Sequence, residues 1–347
     1  MMKHPERIVS DAELEDLLSV PSTELVDLMK RLDGDLMILG IAGKMGVTMG
    51  RRAKRAMELA GVDRKVIGVS RFSRPEEREK LEAWGIETIP CDLLDRDRVR
   101  ELPQVPNVVF MAGRKFGTGG TEELTWAMNT LAPGNVAEHF RNSRIVAFST
   151  GCVYPLVGAE TGGCTEAVPP APVGEYSQSC LGRERVFQYG SKAFGTRVLL
   201  FRLNYAIDLR YGVLHDIASQ IWNGEAVSDS VGHFNVIWQG DANDIALRSL
   251  ELADSPAAVL NVTGPETASL RSIAEKLGEY MGKEVRYAGS GSASGSCYLN
   301  NAAKMAGTFG YPSVPLEQMI RWQAEWFKAG GSSLGKPTHF EVNNGKF

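Results

Sequence analysis

The segment DLMILGIAGKMG, residues 35–46, carries the pattern that predicts the fold class. It begins with a short apolar run and ends with Gly40, Gly43 and Gly46 in the spacing G-x-x-G-x-x-G. Residues 47–60 continue as a helical pattern. A strand, a glycine turn and a helix in this order predict the opening of a βαβ unit.

Alternating strand and helix patterns follow this unit. The predicted strands are residues 65–69, 86–90, 107–111, 144–149 and 197–203. Helical stretches separate them, including a long predicted helix over 121–140 and another from about Tyr176. This alternation predicts an α/β fold with a Rossmann-type, doubly wound parallel sheet that is covered by helices on both faces.

Composition and charge exclude several classes of protein. The chain has 347 residues, of which 43% are hydrophobic and 23% charged, with a formal net charge of −4. A charge so near neutrality gives no long-range attraction for nucleic acid or anionic lipid, so neither is a predicted partner. Since no apolar run reaches the roughly 18 residues of a membrane span and the start is too charged for a secretory signal, we predict a cytoplasmic protein.

The cysteines and histidines show no metal-binding spacing. The cysteines are Cys91, Cys152, Cys164, Cys180 and Cys297. An odd number of scattered cysteines without a C-x-x-C pair predicts neither a disulfide framework nor a structural zinc site. The five histidines are equally scattered, so no metal is predicted.

The glycine turn also predicts a nucleotide site. A tight turn between a strand and a helix lets the backbone approach a pyrophosphate, whose charge meets free amides and the positive end of the helix. Lys44 and Met45 lie inside this turn and are predicted cofactor contacts with its three glycines. The alternative is a tight βα turn that binds no ligand.

The end of the second predicted strand indicates which dinucleotide fits. An Asp or Glu at this point would bond the ribose 2′-hydroxyl, whereas the chain has Ser70 and Arg71, which suit a 2′-phosphate. Lys44 adds a positive charge nearby. We therefore predict NADP(H) in preference to NAD(H), with solvated surface charges as the alternative.

Two further segments are predicted to contact the cofactor. Asp92 and Leu93 follow the third strand, where a carboxylate could accept from an adenine amino group. The alternative for Asp92 is the N-cap of the helix that follows. Ala112 and Gly113 follow the fourth strand and are small enough for a ribose to pass close to the backbone.

The chain is predicted to divide into four parts. These are a helical N-terminal extension at 1–34, a dinucleotide-binding domain at 35–203 with a returning segment near 235–262, a smaller interleaved substrate domain at 204–330, and an extended tail at 331–347. In the extension, Ser10 is predicted to cap a helix with Glu13 three residues on. The tail is rich in Gly, Ser and Asn and shows no periodicity.

Several motifs together resemble the extended short-chain dehydrogenase/reductase family, in its NAD-dependent epimerase/dehydratase group. Besides the glycine turn, they are Asn129 in WAMNTLAP, FSTGCVYP at 148–155, EYSQSCLGRE at 175–184, RLNY at 202–205 and the segment 259–285. The resemblance covers about residues 35–330. It implies an enzyme that moves hydride between a nicotinamide and a substrate carbon.

The resemblance also implies a catalytic set. Thr150 matches the family's hydrogen-bonding hydroxyl, Tyr176 its general acid/base, and Asn129 a supporting residue on the neighbouring helix. The chain departs from the family at Cys180, where the motif Y-x-x-x-K has its lysine. A thiol is uncharged at neutral pH and does not lower the pKa of a phenol as an ammonium does.

Three interpretations of this departure stay open. Arg183 lies seven residues after Tyr176, on the same helix face, and could supply the positive charge. Cys180 could itself act as a thiol. The third interpretation is a loss of redox chemistry, which would leave a dinucleotide-binding sensor or scaffold protein.

The substrate end departs from the nucleotide-sugar enzymes of this family. The arginine that pairs with a substrate pyrophosphate is replaced by Phe234, whose ring cannot form a charge-assisted bond. Asn204 matches the family's asparagine after the sixth strand. The predicted substrate contacts are Lys115, Phe116, Asn204, Tyr205, Phe234 and Trp238.

The sequence therefore predicts an NAD(P)-dependent oxidoreductase or epimerase-like enzyme. Its predicted substrate is a small carbohydrate-like molecule, such as a sugar, a sugar acid or another hydroxy-carbonyl compound. A nucleotide-sugar epimerase/dehydratase and a catalytically impaired sensor or scaffold are the alternatives. The resemblance also implies a homodimer, because long helices pair between subunits in this family.

Overall fold

The protein is described by a computed structural model that covers residues 4–115, 120–289 and 295–341. Phe116, a predicted substrate contact, lies outside the described residues, and so do residues 342–347 of the predicted tail. Among the residues that are described, no helix has the length and apolar character needed to span a bilayer.

The elements have the following bounds. The strands are β1 (Leu36–Leu39), β2 (Val66–Ser70), β3 (Glu87–Pro90), β4 (Asn107–Phe110), β5 (Arg144–Thr150), β6 (Val157–Gly158), β7 (Arg197–Leu203), β8 (Ala206–Ile207), β9 (His233–Phe234), β10 (Ile237–Trp238), β11 (Ala258–Val262), β12 (Ala268–Ser269) and β13 (Ser296–Cys297). The α-helices are α1 (Asp11–Leu18), α2 (Thr23–Arg31), α3 (Gly46–Ala60), α4 (Pro75–Ala83), α5 (Arg96–Arg100), α6 (Glu122–Trp126), α7 (Ala132–His139), α8 (Gly174–Phe194), α9 (Val213–Trp222), α10 (Gln239–Arg248), α11 (Leu270–Met281), α12 (Ala303–Phe309) and α13 (Leu316–Lys328). A π-helical turn spans Ala127–Leu131, and 3₁₀ turns span Gly151–Val153, Ala159–Thr161 and Ser249–Leu252.

A seven-stranded parallel sheet forms the centre of the molecule. Its strand order is β11-β7-β5-β4-β1-β2-β3. Strand β1 is buried along its whole length and pairs with β4 on one side and β2 on the other. The strand order therefore reverses beside β1, which places a crevice above its carboxyl end, where the glycine turn begins. The predicted α/β fold of Rossmann type is confirmed.

Helix α3 packs against the sheet through the face that its periodicity predicts. Met49, Ala53, Ala56 and Met57 are buried in the same core as the apolar side chains of β1. The helix ends at Gly61, whose φ of 67° lies in the left-handed region that glycine adopts without strain.

The long helix predicted over 121–140 is interrupted in the structure. Helix α6 and helix α7 are separated by the π-helical turn Ala127–Leu131. Pro133, in the first turn of α7, has no amide hydrogen and crowds the carbonyl of Asn129 four residues earlier. One wider turn accommodates this conflict, and it carries the buried side chain of Asn129.

The N-terminal helices pack against both cores of the molecule. Ser10 accepts from the Glu13 amide at 3.2 Å, and Glu13 accepts from the Val9 amide at 3.0 Å, so the predicted capping pattern is confirmed. Leu14 of α1 is buried with α9, α11 and α13. Leu25 of α2 is buried with the central sheet and α3.

The chain leaves the central sheet after β7 and returns to it at β11. Between these strands it forms α9, whose apolar face is buried with α11 and α13 in a second core. Helix α10 rejoins the sheet core through Ala242, Ile245 and Ala246. The division into a dinucleotide-binding and a substrate domain stays a prediction.

The described part of the tail, residues 331–341, forms neither helix nor strand but lies folded against α9. Thr338 donates to the Asp216 carboxylate from its amide at 2.8 Å and from its hydroxyl at 2.5 Å. Phe340 is buried beside Phe234, with ring centroids 6.2 Å apart. An apolar side chain and a half-buried acceptor thus hold these residues on the molecule, while the extended tail over 331–347 stays a prediction.

Candidate active site

Two cavities open at the carboxyl ends of the central strands. The first has a volume of about 380 Å³ and lies beside the glycine turn and the ends of β2, β3 and β4. The predicted cofactor residues that line it are Gly40, Gly43, Ser70, Arg71, Asp92, Leu93, Ala112 and Gly113. The fold thus brings together residues from four separate strand ends.

The glycine turn has the geometry of a backbone cradle. A Cβ at Gly40 would lie 2.7 Å from the Ala112 nitrogen, and one at Gly46 would lie 2.3 Å from the Ile41 oxygen. Both positions therefore exclude a side chain. Gly43 is exposed, and a Cβ there would approach only the Gly40 oxygen, at 3.2 Å. Its open side leaves room for a pyrophosphate at the start of α3.

The far end of this cavity carries the residues predicted to select the dinucleotide. Ser70 and Arg71 lie at the end of β2 and line it. Arg74, which the sequence analysis missed, lines it as well and forms an ion pair with Glu77. It stands three residues after Arg71, within the segment SRFSR that suggested the site.

Asp92 lines the cavity and does not cap the next helix. Its carboxylate accepts from the Leu94 amide at 3.0 Å. The N-cap of α5 is Asp95, which accepts from the amides of Asp97 at 3.2 Å and Arg98 at 3.1 Å. The alternative interpretation of Asp92 as the N-cap is therefore wrong, since a carboxylate three residues later fills that role.

The second cavity joins the first and contains the predicted catalytic pair. Its volume is also about 380 Å³. Lys44, Met45, Lys115, Thr150, Tyr176, Arg183, Asn204 and Tyr205 are among the predicted residues that line it. Gly43 and Gly113 line both cavities, so a molecule that follows the glycine turn would reach the Tyr176 side chain.

Tyr176 lies in the first turn of α8, next to Thr150 at the end of β5. Burial raises the pKa of Tyr176 well above its usual value, while the charge of Arg183 and a hydrogen bond with Thr150 act in the opposite direction. Tyr176 is therefore protonated at neutral pH in this environment. Thr150 also accepts from the Cys152 amide at 3.2 Å, which orients its hydroxyl.

Cys180 is a buried thiol one helical turn from Tyr176. It packs with Val153, Tyr154 and Cys164. Burial raises its pKa, so it carries no charge at neutral pH. Cys180 consequently supplies none of the electrostatic effect that a lysine at this position would have.

Arg183 is a cation whose charge acts on Tyr176. Its guanidinium donates to the Phe148 carbonyl at 2.8 Å and to the Asn129 side-chain oxygen at 2.6 Å. A Cβ at Gly113 would lie 2.3 Å from this guanidinium, so the loop after β4 passes directly over it. These contacts hold a permanent positive charge at the floor of the second cavity.

Asn129 connects the loop after β4 with the start of α8. Its side chain accepts from the Arg114 amide and donates to the Arg114 carbonyl, both at 3.0 Å. It also donates to the Ser179 hydroxyl at 2.9 Å, which in turn donates to the Tyr176 carbonyl at 2.8 Å. The π-helical turn thus places one amide where it fixes both walls of the cavity.

The predicted substrate contacts separate into two groups. Lys115, Asn204 and Tyr205 line the second cavity. Phe234 packs on Phe340, and Trp238 packs on Trp322 with ring centroids 5.3 Å apart. The prediction that Phe234 and Trp238 contact substrate is corrected here, because both are at least 98% buried in the second core and absent from the lining of this cavity.

Several lining residues were missed by the sequence analysis. They are Arg114, Tyr211, Lys336 and Thr338. Lys336 and Thr338 belong to the tail, whose sequence offers no periodicity that would place it over a cavity. Within the described ranges, no group of His, Cys, Asp and Glu side chains could hold a metal ion.

The sheet order, the glycine turn and the cavities at the strand ends define a Rossmann-type protein. Residues 36–207, about half of the chain, match the model of the NAD dependent epimerase/dehydratase family. The chain belongs to this family, and the resemblance in its motifs is confirmed. No curated protein sequence matches it.

Solved structures of this family share the fold at low identity. UDP-glucose 4-epimerase from Thermotoga maritima, with UDP-glucose, is 17% identical at a TM-score of 0.68, covering 85% of this chain and 99% of that one. UDP-glucose 4-epimerase from Thermus thermophilus, in complex with NAD, is 19% identical at a TM-score of 0.68. The match covers 85% of this chain and 99% of that one. dTDP-glucose 4,6-dehydratase from Bacillus anthracis, in complex with NAD, is 18% identical at a TM-score of 0.69. The match covers 85% of this chain and 97% of that one.

Proposed function

We propose that the protein is an NAD(P)-dependent enzyme that transfers hydride at a hydroxyl-bearing carbon of a small sugar-like substrate, as an oxidoreductase or epimerase. The observation that carries this proposal is the position of Thr150 and Tyr176 in a cavity that opens into the glycine-turn cavity. A bound dinucleotide would supply the hydride acceptor or donor at this junction.

The chain offers a fitting site for the dinucleotide. Gly43 and the amino end of α3 would hold the pyrophosphate, and Ala112 and Gly113 would adjoin a ribose. Ser70 and Arg71 would meet the ribose of the adenosine end. Two of the related structures named above contain NAD. We propose NADP(H) for this chain, because the end of β2 carries a hydroxyl and a cation where a carboxylate would favour NAD(H).

A titration tests the cofactor preference directly. Protein fluorescence is followed while NADPH or NADH is added to the wild type and to Arg71→Met. Binding of NADPH at least about tenfold tighter than NADH, with the difference lost in the variant, supports the proposal. Equal dissociation constants for the two cofactors would contradict it.

The raised pKa of Tyr176 defines its role. A protonated phenol donates a proton to the substrate oxygen as that oxygen gains negative charge, and Thr150 holds the same oxygen by a hydrogen bond. The reverse reaction, oxidation of a hydroxyl, needs the phenolate. Arg183 stabilises that phenolate, and so supplies the positive charge that the family's lysine supplies elsewhere. Cys180 has no proton-transfer role in this proposal.

The residues at the substrate end support a small substrate. Phe234, at the position of the family's phosphate-binding arginine, is buried in the second core. Asn204 has its amide fixed by donation to Asn235 at 2.8 Å and to the Tyr298 carbonyl at 3.2 Å, so it presents a rigid surface to the cavity. A free sugar, a sugar acid or another hydroxy-carbonyl compound fits these features better than a nucleotide sugar.

A second candidate is a dinucleotide-binding protein without turnover. The half-buried, protonated Tyr176 and the uncharged Cys180 favour it, because neither of them supplies the base that this chemistry uses. It predicts cofactor binding without any change in nicotinamide absorbance.

One screen separates the two candidates. The protein is incubated with NADP⁺ or NADPH and a panel of sugars, sugar acids and hydroxy-carbonyl compounds, and absorbance at the nicotinamide band is recorded. The configuration of each recovered compound is determined by NMR as well, because an epimerase returns the hydride to its substrate and leaves no net absorbance change. Turnover that falls by roughly 10²–10⁴-fold in Tyr176→Phe, with cofactor affinity unchanged, supports the enzyme. Cofactor binding with no turnover across the panel would support the sensor.

The pH dependence provides a further test of the role of Tyr176. Because its pKa is raised, the rate of oxidation is expected to rise with pH throughout the alkaline range, as the phenolate becomes more populated. The rate of reduction is expected to stay level over the same range. A plateau of the oxidation rate near neutral pH would contradict this assignment.

The remaining predictions concern assembly and location. A homodimer rests on the family resemblance, and a cytoplasmic location rests on the composition of the chain. Light scattering in solution tests the first, and fractionation of the producing cell tests the second.

A further inference from the structure

Three lysines from distant parts of the chain meet at the second cavity. Lys44 comes from the glycine turn, Lys115 from the loop after β4, and Lys336 from the folded tail, and all three line the cavity. We propose that these lysines form a binding site for a carboxylate or phosphate group of the substrate. This inference rests on the proposed function, and it narrows the substrate to an anionic compound.

The positions of the lysines place this site beside the reacting groups. The Lys115 ammonium lies 5.9 Å from the centre of the Tyr176 ring and donates to the Thr338 carbonyl at 3.4 Å. The Lys44 ammonium lies 3.2 Å from the centre of the Tyr211 ring, just before α9. Lys336 is exposed at the junction of the two cavities.

The charge of the cavity is strongly one-sided. Arg114 and Arg183 line it together with the three lysines, whereas none of the described lining residues is an Asp or Glu. The nearby carboxylates have other partners: Asp208 accepts from Arg210 at 3.0 Å, and Asp216 accepts from Thr338. Glu341, whose charge acts on Lys115, lies 3.7 Å from the His339 ring. A bound anion would offset the mutual repulsion of the cations.

The electrostatics of Lys44 agree with this interpretation. Burial lowers its pKa to about 7, and the charges of Lys115 and Lys336 lower it further, against opposing effects of Asp208 and Asp216. Burial also lowers the pKa of Lys115. An anion between the ammonium groups would favour their charged forms and would therefore bind with uptake of protons.

The cofactor pyrophosphate does not account for the whole cluster. Its place at the start of α3 is next to Lys44, but Lys115 lies at the Tyr176 ring and is linked to the tail. Tyr211, which Lys44 covers, belongs to the segment that leads into α9. A hydroxy acid, sugar acid or sugar phosphate would place its anionic group among the lysines and its hydroxyl toward Thr150 and Tyr176.

A binding experiment tests the site without requiring turnover. The probes are glycolate, a small hydroxy carboxylate, and inorganic phosphate, each titrated calorimetrically into the protein with and without saturating dinucleotide. Wild type is compared with Lys336→Met and Lys44→Met. The control is Lys192→Met, an exposed lysine of α8 about 24 Å along the helix from Tyr176.

We expect at least one probe to bind, with about tenfold weaker affinity in each of the two cavity variants and unchanged affinity in the control. Glycolate binding is expected to weaken as the pH rises above 7, since Lys44 loses its proton. Absence of binding to the wild type, or equal binding by the cavity variants, would overturn the inference. So would binding that saturating dinucleotide abolishes, because the lysines would then serve the cofactor.

The same probes separate this inference from the proposed function. Anion binding that depends on the lysines, in a protein that neither binds dinucleotide nor turns over substrate, would support the site and overturn the proposed enzyme. Turnover of a neutral sugar in preference to its acid or phosphate would support the enzyme and overturn the anion site.

Discussion

At the scale of single residues, the absence of the motif lysine concerns two positions of α8. Cys180 occupies the place of the lysine, and Arg183 supplies a positive charge. Cys180 occupies the motif position but is buried and uncharged. Arg183, three residues later, is held by Asn129 and the Phe148 carbonyl and lowers the pKa of Tyr176. The positive charge has thus moved from one side chain of α8 to another on the same side of the helix.

Paired variants test this shift. Arg183→Met is expected to raise the pKa of Tyr176 further and to reduce the oxidation rate at least about tenfold, because the phenolate loses a positive charge that favours it. Cys180→Ala is expected to leave the rate within about twofold. Initial rates between pH 7 and 10 measure both. A large loss in Cys180→Ala, with Arg183→Met active, would assign the chemistry to the thiol.

Lys44 links the charge of the cavity to the stability of the protein. Its pKa is lowered to about 7 in the folded state, whereas a lysine in an unfolded chain titrates at about 10.4. Between these values the unfolded state binds more protons, so the free energy of unfolding rises with pH. The charged or titratable groups that face Lys44 are Tyr211, Lys115, Lys336, Asp208 and Asp216.

We therefore expect the stability difference between wild type and Lys44→Met to change with pH. The wild type should gain stability relative to the variant from about pH 7 to about pH 10. The difference should level off above the pKa of a lysine in the unfolded chain, about 10.4. Urea unfolding at several pH values measures it. A constant difference over this range would show that Lys44 keeps an ordinary pKa.

At the scale of secondary-structure elements, the glycine turn and the π-helical turn each depend on one local constraint. The glycine turn needs two positions without side chains, Gly40 and Gly46, so that β1 can pass directly into α3. The π-helical turn accommodates Pro133 and carries Asn129 into the space between two walls of the active site. In both cases a backbone requirement positions functional atoms.

A matched pair of glycine variants separates folding from binding. In Gly46→Ala the new methyl group would lie 2.3 Å from a backbone oxygen, so the turn must move, at a cost of roughly 1–3 kcal/mol in the free energy of unfolding. Gly43→Ala has its nearest contact at 3.2 Å and is expected to cost less than about 1 kcal/mol, while weakening dinucleotide binding at least about tenfold.

Chemical unfolding and cofactor titration check the two effects. If Gly43→Ala bound the dinucleotide as tightly as the wild type, the open side of the turn would not be the pyrophosphate site. If Gly46→Ala were as stable as the wild type, the close packing of the turn on Ile41 would not be a constraint.

At the scale of the whole molecule, a buried network joins the N-terminal helices to the sheet domain. Arg52 of α3 donates to Asp244 of α10 at 2.8 Å and to the Leu18 carbonyl at 3.1 and 3.2 Å. Asp244 also accepts from the amide of Ser22 at 3.0 Å and from its hydroxyl at 2.7 Å. Both charged side chains are 94% buried, so removal of either one would leave the other charge buried without this partner.

Removal of one side chain of the Arg52–Asp244 pair should lower the free energy of unfolding. Arg52→Met leaves the buried Asp244 carboxylate with only the Arg248 guanidinium, 3.6 Å away, as a cationic partner, and we expect a loss of about 3 kcal/mol in the free energy of unfolding. The control is Arg31→Met, which breaks an exposed pair with Glu251 and should cost less than about 1 kcal/mol. Denaturant unfolding measures both, and similar losses in the two variants would contradict the role of the network.

Much of the fold and the cofactor site could be predicted from local patterns. The glycine spacing, the alternation of strands and helices, and the motifs around Thr150 and Tyr176 each lie within a short stretch of chain. The end of β2 and the Asn129 motif are equally local. These predictions concern residues whose structure depends on their immediate neighbours in sequence, which is why periodicity and spacing reveal them.

The lining of the second cavity depends on contacts that no local pattern predicts. Lys115 meets the carbonyl of Thr338 across 223 residues of sequence, and no periodic pattern connects them. Phe234 packs on Phe340, and Trp238 packs on Trp322. The burial of these side chains therefore also depends on partners that are distant in sequence. The family, the glycine turn and the motifs around Thr150 and Tyr176 follow from short stretches of sequence. Long-range packing determined which charged side chains line the second cavity, because that lining depends on contacts between segments that carry no local signal for one another.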